Sequence, residues 1–165
     1  MARIELTLAI QAPPERCFDL ARSVEAHLHS ATGTGEEVVG GRRSGLMEFG
    51  DEVTWRARHL GLRLHLTSRI TAFDRPHHFR DSMVRGPLAR LDHDHWFAAD
   101  GGGGTVMRDA FDFDAPLGPL GRVAEWLWLR RHFRRFLEVR NEALRQLAES
   151  AAWRPFLTGD QNPAK

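Results

Sequence analysis

Several features are scarce in this sequence of 165 residues, and each scarcity excludes a class of protein. Cys17 is the only cysteine, which rules out an internal disulfide and a cysteine metal cluster. No apolar run approaches the roughly 20 residues that a membrane-spanning helix needs. The formal net charge is only +1, so the overall charge gives no indication of nucleic-acid binding.

The N-terminal segment also lacks the long apolar stretch and the small-residue cleavage site of a secretory signal. We therefore expect a soluble, cytoplasmic protein. The length suits one domain with a real core, which we assign to residues 1–150. The tail 151–165 is polar and contains Pro and Gly, so it is expected to be loosely held despite Trp153 and Phe156.

Alternation of apolar and polar residues predicts strands over most of the chain. Residues 3–10 form the first one, and a short helix opening at Pro13-Pro14 follows, with a second helix capped by Ser23. A further strand is expected at 36–41. From residue 50 to residue 114 the period is two throughout, with turns at Gly61 and at the GGGG of 101–104.

The pattern changes to helical spacing after the segment APLGPLG. Apolar residues recur at three- and four-residue intervals from about Pro119 to Ser150, which predicts one helix about 45 Å long. Its basic run is expected to be a solvated face: Arg130, Arg131, Arg134 and Arg135. Trp128 lies off the apolar stripe and is a candidate for an exposed dimer-forming or membrane-facing patch.

These elements predict an α+β fold in which a curved antiparallel sheet of six to seven strands wraps round the long C-terminal helix. Two short helices follow the first strand. A sheet with one apolar face needs a cover, and the long amphipathic helix is the element able to supply it. A space between such a sheet and its helix is a typical ligand cavity.

Four segments resemble a bacterial ligand-binding branch of the START-related SRPBCC superfamily: AIQAPPERCFDLARS, GDEVTWRARHLG, LDHDHWF and MRDAFDFDAPLGPLGRVAEWL. The resemblance covers residues 3 to about 149 and implies the helix-grip fold, with a cavity between sheet and helix. The superfamily includes polyketide cyclases and lipid-transfer domains, so the resemblance implies binding of a hydrophobic ligand and no fixed catalytic motif.

Strand parity places an unusual set of polar residues on the inner face of the sheet. His93 and His95 share a face with Leu91 and Phe97, and the same count turns His59, Asp81 and Asp109 inward. Buried charges need partners, water or a ligand. With the apolar residues that surround them, the predicted ligand-pocket residues are Trp55, His59, Asp81, Met83, His93, His95, Met107, Asp109, Phe111, Trp126 and Phe133.

Three roles remain open for the inward polar residues: a structural network, a polar patch that orients a ligand, and general acid–base catalysis. A zinc site is not favoured, because no third ligand has a defined spacing. In addition, the side chains of His93 and His95 are expected about 7 Å apart along the strand. We therefore assign no metal, no cofactor and no catalytic residue.

The sequence thus predicts a carrier or sensor of a small hydrophobic molecule, such as a lipid, an isoprenoid or a polyketide-like compound. Two alternatives stay open. One is an enzyme of the cyclase/dehydratase kind that uses the same pocket residues. The other is an interaction module that binds an acidic partner or a membrane surface through the arginine-rich helix. Nucleic acid is not expected as a partner, membrane contact would be transient, and the oligomeric state is left open.

Overall fold

The structure is a computed structural model that describes residues 2–31, 35–59 and 61–157, with the backbone alone at positions 59, 122 and 124–126. The strands are β1 (Ala2–Ile10), β2 (Glu37–Gly41), β3 (Glu52–His59), β4 (Leu62–Asp74), β5 (His78–Arg85), β6 (Arg90–Ala99) and β7 (Thr105–Asp114). The helices are α1 (Pro14–Ala21), α2 (Val24–Ser30), α3 (Gly118–Ala124), α4 (Arg130–Glu149) and α5 (Arg154–Leu157).

All seven strands form one curved antiparallel sheet in the order β1-β7-β6-β5-β4-β3-β2. The first strand therefore pairs with the last one, and the other strands follow as successive hairpins. Together with the long C-terminal helix and the two short helices after β1, this is the predicted fold. None of the helices in the described part of the chain is long and apolar enough to cross a membrane.

The inner face of the sheet follows the predicted parity on β6, the strand that carries the two histidines. Leu91, His93, His95 and Phe97 are all buried, and no bulge interrupts the pairing of β6 with β7. The register does shift within β4, between Ile70 and Ala72. That shift lies away from β6, so the inward orientation of both histidines is confirmed.

Helices α1 and α2 close one end of the space under the sheet. Pro14 occupies the first position of α1, and Ser23 caps α2 by accepting a hydrogen bond from the Ala26 amide, as predicted. Phe18 of α1 is fully buried and packs edge-on against three phenylalanines of the sheet: Phe73, Phe79 and Phe97. The two helices are thereby held against the sheet by aromatic packing.

The C-terminal helix begins one residue earlier than predicted, at Gly118, and differs from the prediction in a π-helical turn at Glu125–Leu129. The apolar stripe of α4 is Leu137, Leu144, Leu147 and Ala148, all buried. Leu137 packs with Ile4 and Phe113, whereas Leu144 and Leu147 belong to the cluster that contains Phe18. The long helix therefore joins two apolar clusters.

The turn that leads from β7 into the first residues of α3 is tightly built. A Cβ on Gly121 would collide with the Pro116 carbonyl oxygen, so this close backbone approach requires glycine. Gly118 and Leu117 both have positive φ angles, of 54° and 72°. Gly121 thus permits a close backbone approach, whereas Gly118 supplies a left-handed turn.

The expectation of a loosely held tail is wrong for residues 151–157. They form a 3₁₀ turn (Ala151–Trp153) and α5, and Trp153 and Phe156 pack against the core. The Arg16 guanidinium lies 4.4 Å from the centre of the Trp153 ring, which adds a cation–π contact. Both aromatic residues have apolar surface to bury, and the end of α4 brings them to α1. Residues 158–165 lie outside the described part of the chain.

Candidate functional site

A cavity of about 310 Å³ lies between the inner face of the sheet and the long helix. Most of its wall is apolar, formed by side chains of β3, β4, β6, β7, the β5–β6 loop, the π-helical turn and α4: Ala57, Leu62, Leu64, Leu66, Leu88, Leu91, Phe111, Leu129, Phe133 and Phe136. One part of the wall is polar, and it is formed by His27, Glu36, Ser68, Asp81, His93 and Arg140. The cavity therefore offers an apolar volume with a polar end.

The register of three adjacent strands assembles this polar end. His93 on β6 pairs with Asp81 on β5, and His95 pairs with Asp109 on β7. Directly paired residues on one face of an antiparallel sheet have their side chains side by side. The four inward polar residues, which are far apart in the sequence, thus form one cluster beneath α4.

His95 bonds to both carboxylates of the cluster. Its Nδ1–H donates to Asp109 Oδ1 at 2.8 Å, and its Nε2–H donates to Asp81 Oδ2 over a longer 3.3 Å. The other Asp109 oxygen, Oδ2, accepts a hydrogen bond of 2.6 Å from the Asn141 side-chain amide of α4. Asp109 is consequently bonded on both oxygens, and the cluster connects the sheet to the long helix.

The charges of the cluster are mutually dependent. Burial alone would lower the pKa of the His95 imidazole, but Asp109 and Asp81 outweigh burial and raise the pKa of His95 to about 9. Burial alone would raise the pKa of both carboxyl groups, and the interaction with His95 instead holds the pKa of each below its usual range. At neutral pH a cationic His95 therefore lies between two carboxylates.

His93 is in a different state, although its ring lies against that of His95, with the centroids 3.9 Å apart and the planes tilted by 44°. Burial and the adjacent positive charge lower the pKa of His93 to about 3, so this imidazole is neutral. Its Nδ1 lies 3.9 Å from Asp81 Oδ2, and its Nε2 lies 3.9 Å from Asp109 Oδ1. Its buried Nε2 has no hydrogen-bond partner among the described residues.

The other predicted pocket residues that the structure describes lie either on the cavity wall or in the apolar clusters of the core. Trp55, Phe111 and Phe133 line the cavity, and Trp55 stacks on His27 at a centroid distance of 4.0 Å. Met83 packs against the apolar cluster of Ile4 and Leu91, and Met107 is buried in the cluster beneath α1. The side chains of His59 and Trp126 lie outside the described residues.

Sequence reasoning missed Arg140 and Asn141 on the long helix and His27 on α2. A signal for the first two was present: both fall on the apolar stripe of α4, three and four residues after Leu137. Arg130, Arg131 and Arg135 are exposed, so the run of arginines concealed the one that points into the cavity. His27 could not be identified from the sequence, because its position depends on the packing of α2. Burial and the charge of Arg140 lower the pKa of His27.

The chain matches the polyketide cyclase / dehydrase and lipid transport family over residues 1–149. No curated protein matches the chain.

Solved structures with the same fold include protein TTHA0849 of Thermus thermophilus, with 18% identity, a TM-score of 0.72 and coverage of 88% of this chain and 95% of that one. A START superfamily protein of Mycobacterium smegmatis has 13% identity, a TM-score of 0.67 and coverage of 89% and 97%. The Zhui aromatase/cyclase of Streptomyces sp. R1128 has 15% identity, a TM-score of 0.65 and coverage of 92% and 97%. At these identities the structures show a shared fold only. The family match over nearly the whole chain and the helix-grip architecture together show that this protein belongs to the polyketide cyclase / dehydrase and lipid transport family.

Proposed function

We propose that this protein binds a small hydrophobic molecule, such as a lipid, an isoprenoid or a polyketide-like compound, and acts as its carrier or sensor. The observation that carries the proposal is the cavity of about 310 Å³, with its apolar wall and its polar end. Small-molecule sites are typically concave and mostly apolar, with a few polar groups that fix the orientation of the ligand. The family match supports the same class of ligand.

Arg140 indicates which end of the ligand would lie at the polar end of the cavity. Its side chain lines the cavity, and among the described residues no carboxylate lies within ion-pairing distance of its guanidinium. A guanidinium has five N–H donors and no acceptor. We therefore propose a ligand with a carboxylate or carbonyl oxygen at one end and an apolar body that occupies the space between Leu64 and Phe133.

The test is native mass spectrometry of the purified protein, followed by calorimetric titration with the compound that co-purifies. Leu64→Trp should fill part of the cavity and weaken binding at least tenfold. Val84→Trp is the matched control, because Val84 is an exposed residue of the neighbouring strand β5. Equal affinity in both variants, or a protein that never binds an apolar compound, would contradict the proposal.

A second candidate is an enzyme of the cyclase/dehydratase kind, and Asp81 and His95 favour it. Asp81 faces the cavity as a carboxylate, and His95 holds a proton on Nε2, so the pair has one group that accepts a proton and one that donates. Proton exchange next to the carbonyl of a bound ketone, followed by NMR in deuterated water, would detect this activity. Loss of exchange in Asp81→Asn, with ligand affinity kept, would distinguish an enzyme from a carrier.

A further inference from the structure

We propose that Asp81, His93 and His95 form a binding site for one divalent transition-metal ion of the Zn²⁺ type, open to the cavity. Each residue offers one ligand atom, and these atoms lie within 4.8 Å of one another. Two imidazoles and one carboxylate are a common ligand set for such ions. This inference is independent of the proposed organic ligand, because it concerns the chain's own side chains and an inorganic ion.

The distances around His95 differ in a way that a metal site explains. Nδ1 lies 2.8 Å from Asp109, which is typical of a charge-assisted hydrogen bond. Nε2 lies 3.3 Å from Asp81 Oδ2, which is long for such a bond. Two ligand atoms on a tetrahedral ion with bonds of about 2.0–2.1 Å are about 3.3–3.4 Å apart. An ion in place of the Nε2 proton would therefore need little movement of either residue.

His93 supplies the second imidazole. It is buried, its Nε2 has no partner among the described residues, and its Nδ1 lies 3.9 Å from the Asp81 oxygen. A small rotation would bring Nδ1 to ligand distance from an ion held by Asp81 and His95. With Nδ1 as the ligand, the ring proton would be on Nε2, which lies 3.9 Å from Asp109 Oδ1.

Outer partners of the kind that metal sites use are already in place. Asp109 accepts the Nδ1–H of His95 and so directs Nε2 toward the cavity side, and Asn141 holds Asp109 in turn. Carboxylate–histidine–metal arrangements of this kind orient the ligand and increase its basicity. The three ligands leave a fourth position free, and Asp81 and His93 both line the cavity. A bound ligand oxygen could therefore reach the ion.

The charges are compatible with a cation. Asp81 and Asp109 provide two negative charges, and Arg140 provides one positive charge at the same polar end. The ion would displace the Nε2 proton of His95 into solvent, and with both imidazoles then neutral the charges of Asp81, Asp109 and Arg140 sum to −1 around the ion. Arg140 would then lie beside the ion, where it can contact the same anionic group that the ion coordinates.

Two sequence arguments against zinc do not hold in the structure. The expected separation of about 7 Å between the histidine side chains is wrong, since strand twist and rotamers bring the rings to 3.9 Å. The missing third ligand is Asp81, which comes from the adjacent strand β5 through direct pairing with His93. A ligand supplied by cross-strand pairing has no fixed spacing in the sequence.

The test uses the full chain, stripped of metal with a chelator and then titrated calorimetrically with Zn²⁺. We expect one tight equivalent, and X-ray absorption of the Zn²⁺ complex should show imidazole scattering with only nitrogen and oxygen ligands. His93→Gln and Asp81→Asn should each weaken Zn²⁺ binding at least a hundredfold, and Asp109→Asn should weaken it about 10- to 100-fold. His65→Gln is the control for stray binding, because His65 is an exposed histidine of β4.

Circular dichroism shows whether each variant is folded. The X-ray absorption measurement uses the wild-type protein, so its result does not depend on the folding of any variant. Absence of a tight Zn²⁺ equivalent in the wild-type protein would overturn the proposal. Equal affinity in His93→Gln, Asp81→Asn and wild type would also overturn it, because the ion would then be bound at surface histidines.

Discussion

His95 and Asp109 are directly opposite each other on β6 and β7, and their side chains share a buried hydrogen bond of 2.8 Å. Through Asn141, the same carboxylate is bonded to the long helix at 2.6 Å. This one pair therefore joins the centre of the sheet to the helix that covers it. Asp109 is almost fully buried, so its negative charge depends on the hydrogen bond and the positive charge of His95.

His95→Ala should lower the free energy of unfolding by about 3 kcal/mol, because Asp109 is left as a buried carboxylate with Asn141 as its remaining partner. Urea denaturation of the metal-free protein measures this loss. His65→Ala, at an exposed position on β4, should change the value by less than about 0.5 kcal/mol. An unchanged stability of His95→Ala would mean that the cluster serves only a bound ligand or ion.

Arg140→Gln should weaken binding of an acidic ligand about 10- to 150-fold, because a charge-assisted hydrogen bond contributes about 1.5–3 kcal/mol. Calorimetry with a medium-chain fatty acid and its methyl ester provides the measurement, and the variant should bind acid and ester with more similar affinity. Arg131→Gln is the control, since Arg131 is exposed on the same helix. If Arg140→Gln leaves the preference for the acid unchanged, Arg140 does not contact the ligand's polar end.

Asp19 on α1 predicts a specific pH dependence. Burial alone would raise the pKa of Asp19, but ion pairs with Arg75 and Arg22, at 2.6 and 2.8 Å, lower it below the usual value. A lowered carboxyl pKa stabilises the fold above the unfolded-state value of about 4, and this contribution is lost as the pH falls through the folded-state value. Asp19→Asn should therefore cost about 1–2 kcal/mol at pH 7.

The difference between Asp19→Asn and the wild-type protein should shrink as the pH falls below about 4, because the unfolded state then binds a proton at Asp19, and it should vanish once the pH is below the lowered folded-state pKa. Denaturation curves at a series of pH values test this. Glu15→Gln, an exposed carboxyl of the same helix, should leave the curves unchanged. A difference that stays constant down to pH 2 would show that the ion pairs do not stabilise helix α1.

Membrane contact stays a prediction, and the residues around α3 make it specific. A group of exposed apolar side chains lies next to exposed arginines of α4: Leu117, Leu120, Val123, Leu127, Trp128, Arg130, Arg131 and Arg135. Apolar residues beside basic ones favour the surface of anionic bilayers. We expect the protein to sediment with vesicles that contain phosphatidylserine and much less with neutral vesicles.

The double variant Leu120→Asp/Leu127→Asp should reduce vesicle binding at least tenfold. Phe49→Asp is its control, because Phe49 is an equally exposed apolar residue on the β2–β3 connection. Sedimentation at low and high salt separates the contribution of the arginines, which weakens as salt screens their charge. Binding that is the same for neutral and anionic vesicles would contradict this prediction.

The sheet and the inward orientation of its polar residues could be predicted because strand side chains alternate strictly. On β6 that period places His93 and His95 on the core side whatever strand lies next to it. The long helix could be predicted in the same way, from the helical spacing of its apolar residues. The π-helical turn at Glu125–Leu129 that interrupts the helix could not be predicted, since it adds one residue to a turn without changing the composition.

By itself, then, the sequence determined the order of the elements, the face of each strand and the existence of a cover for the sheet, because these depend on local periodicity. Tertiary structure alone decided that Asp81 is beside His93, that His95 is between two carboxylates and that Arg140 points into the cavity. Those relationships depend on cross-strand register and on the rotation of α4 about its axis. Both are set by packing between segments far apart in the chain, and no local pattern records them.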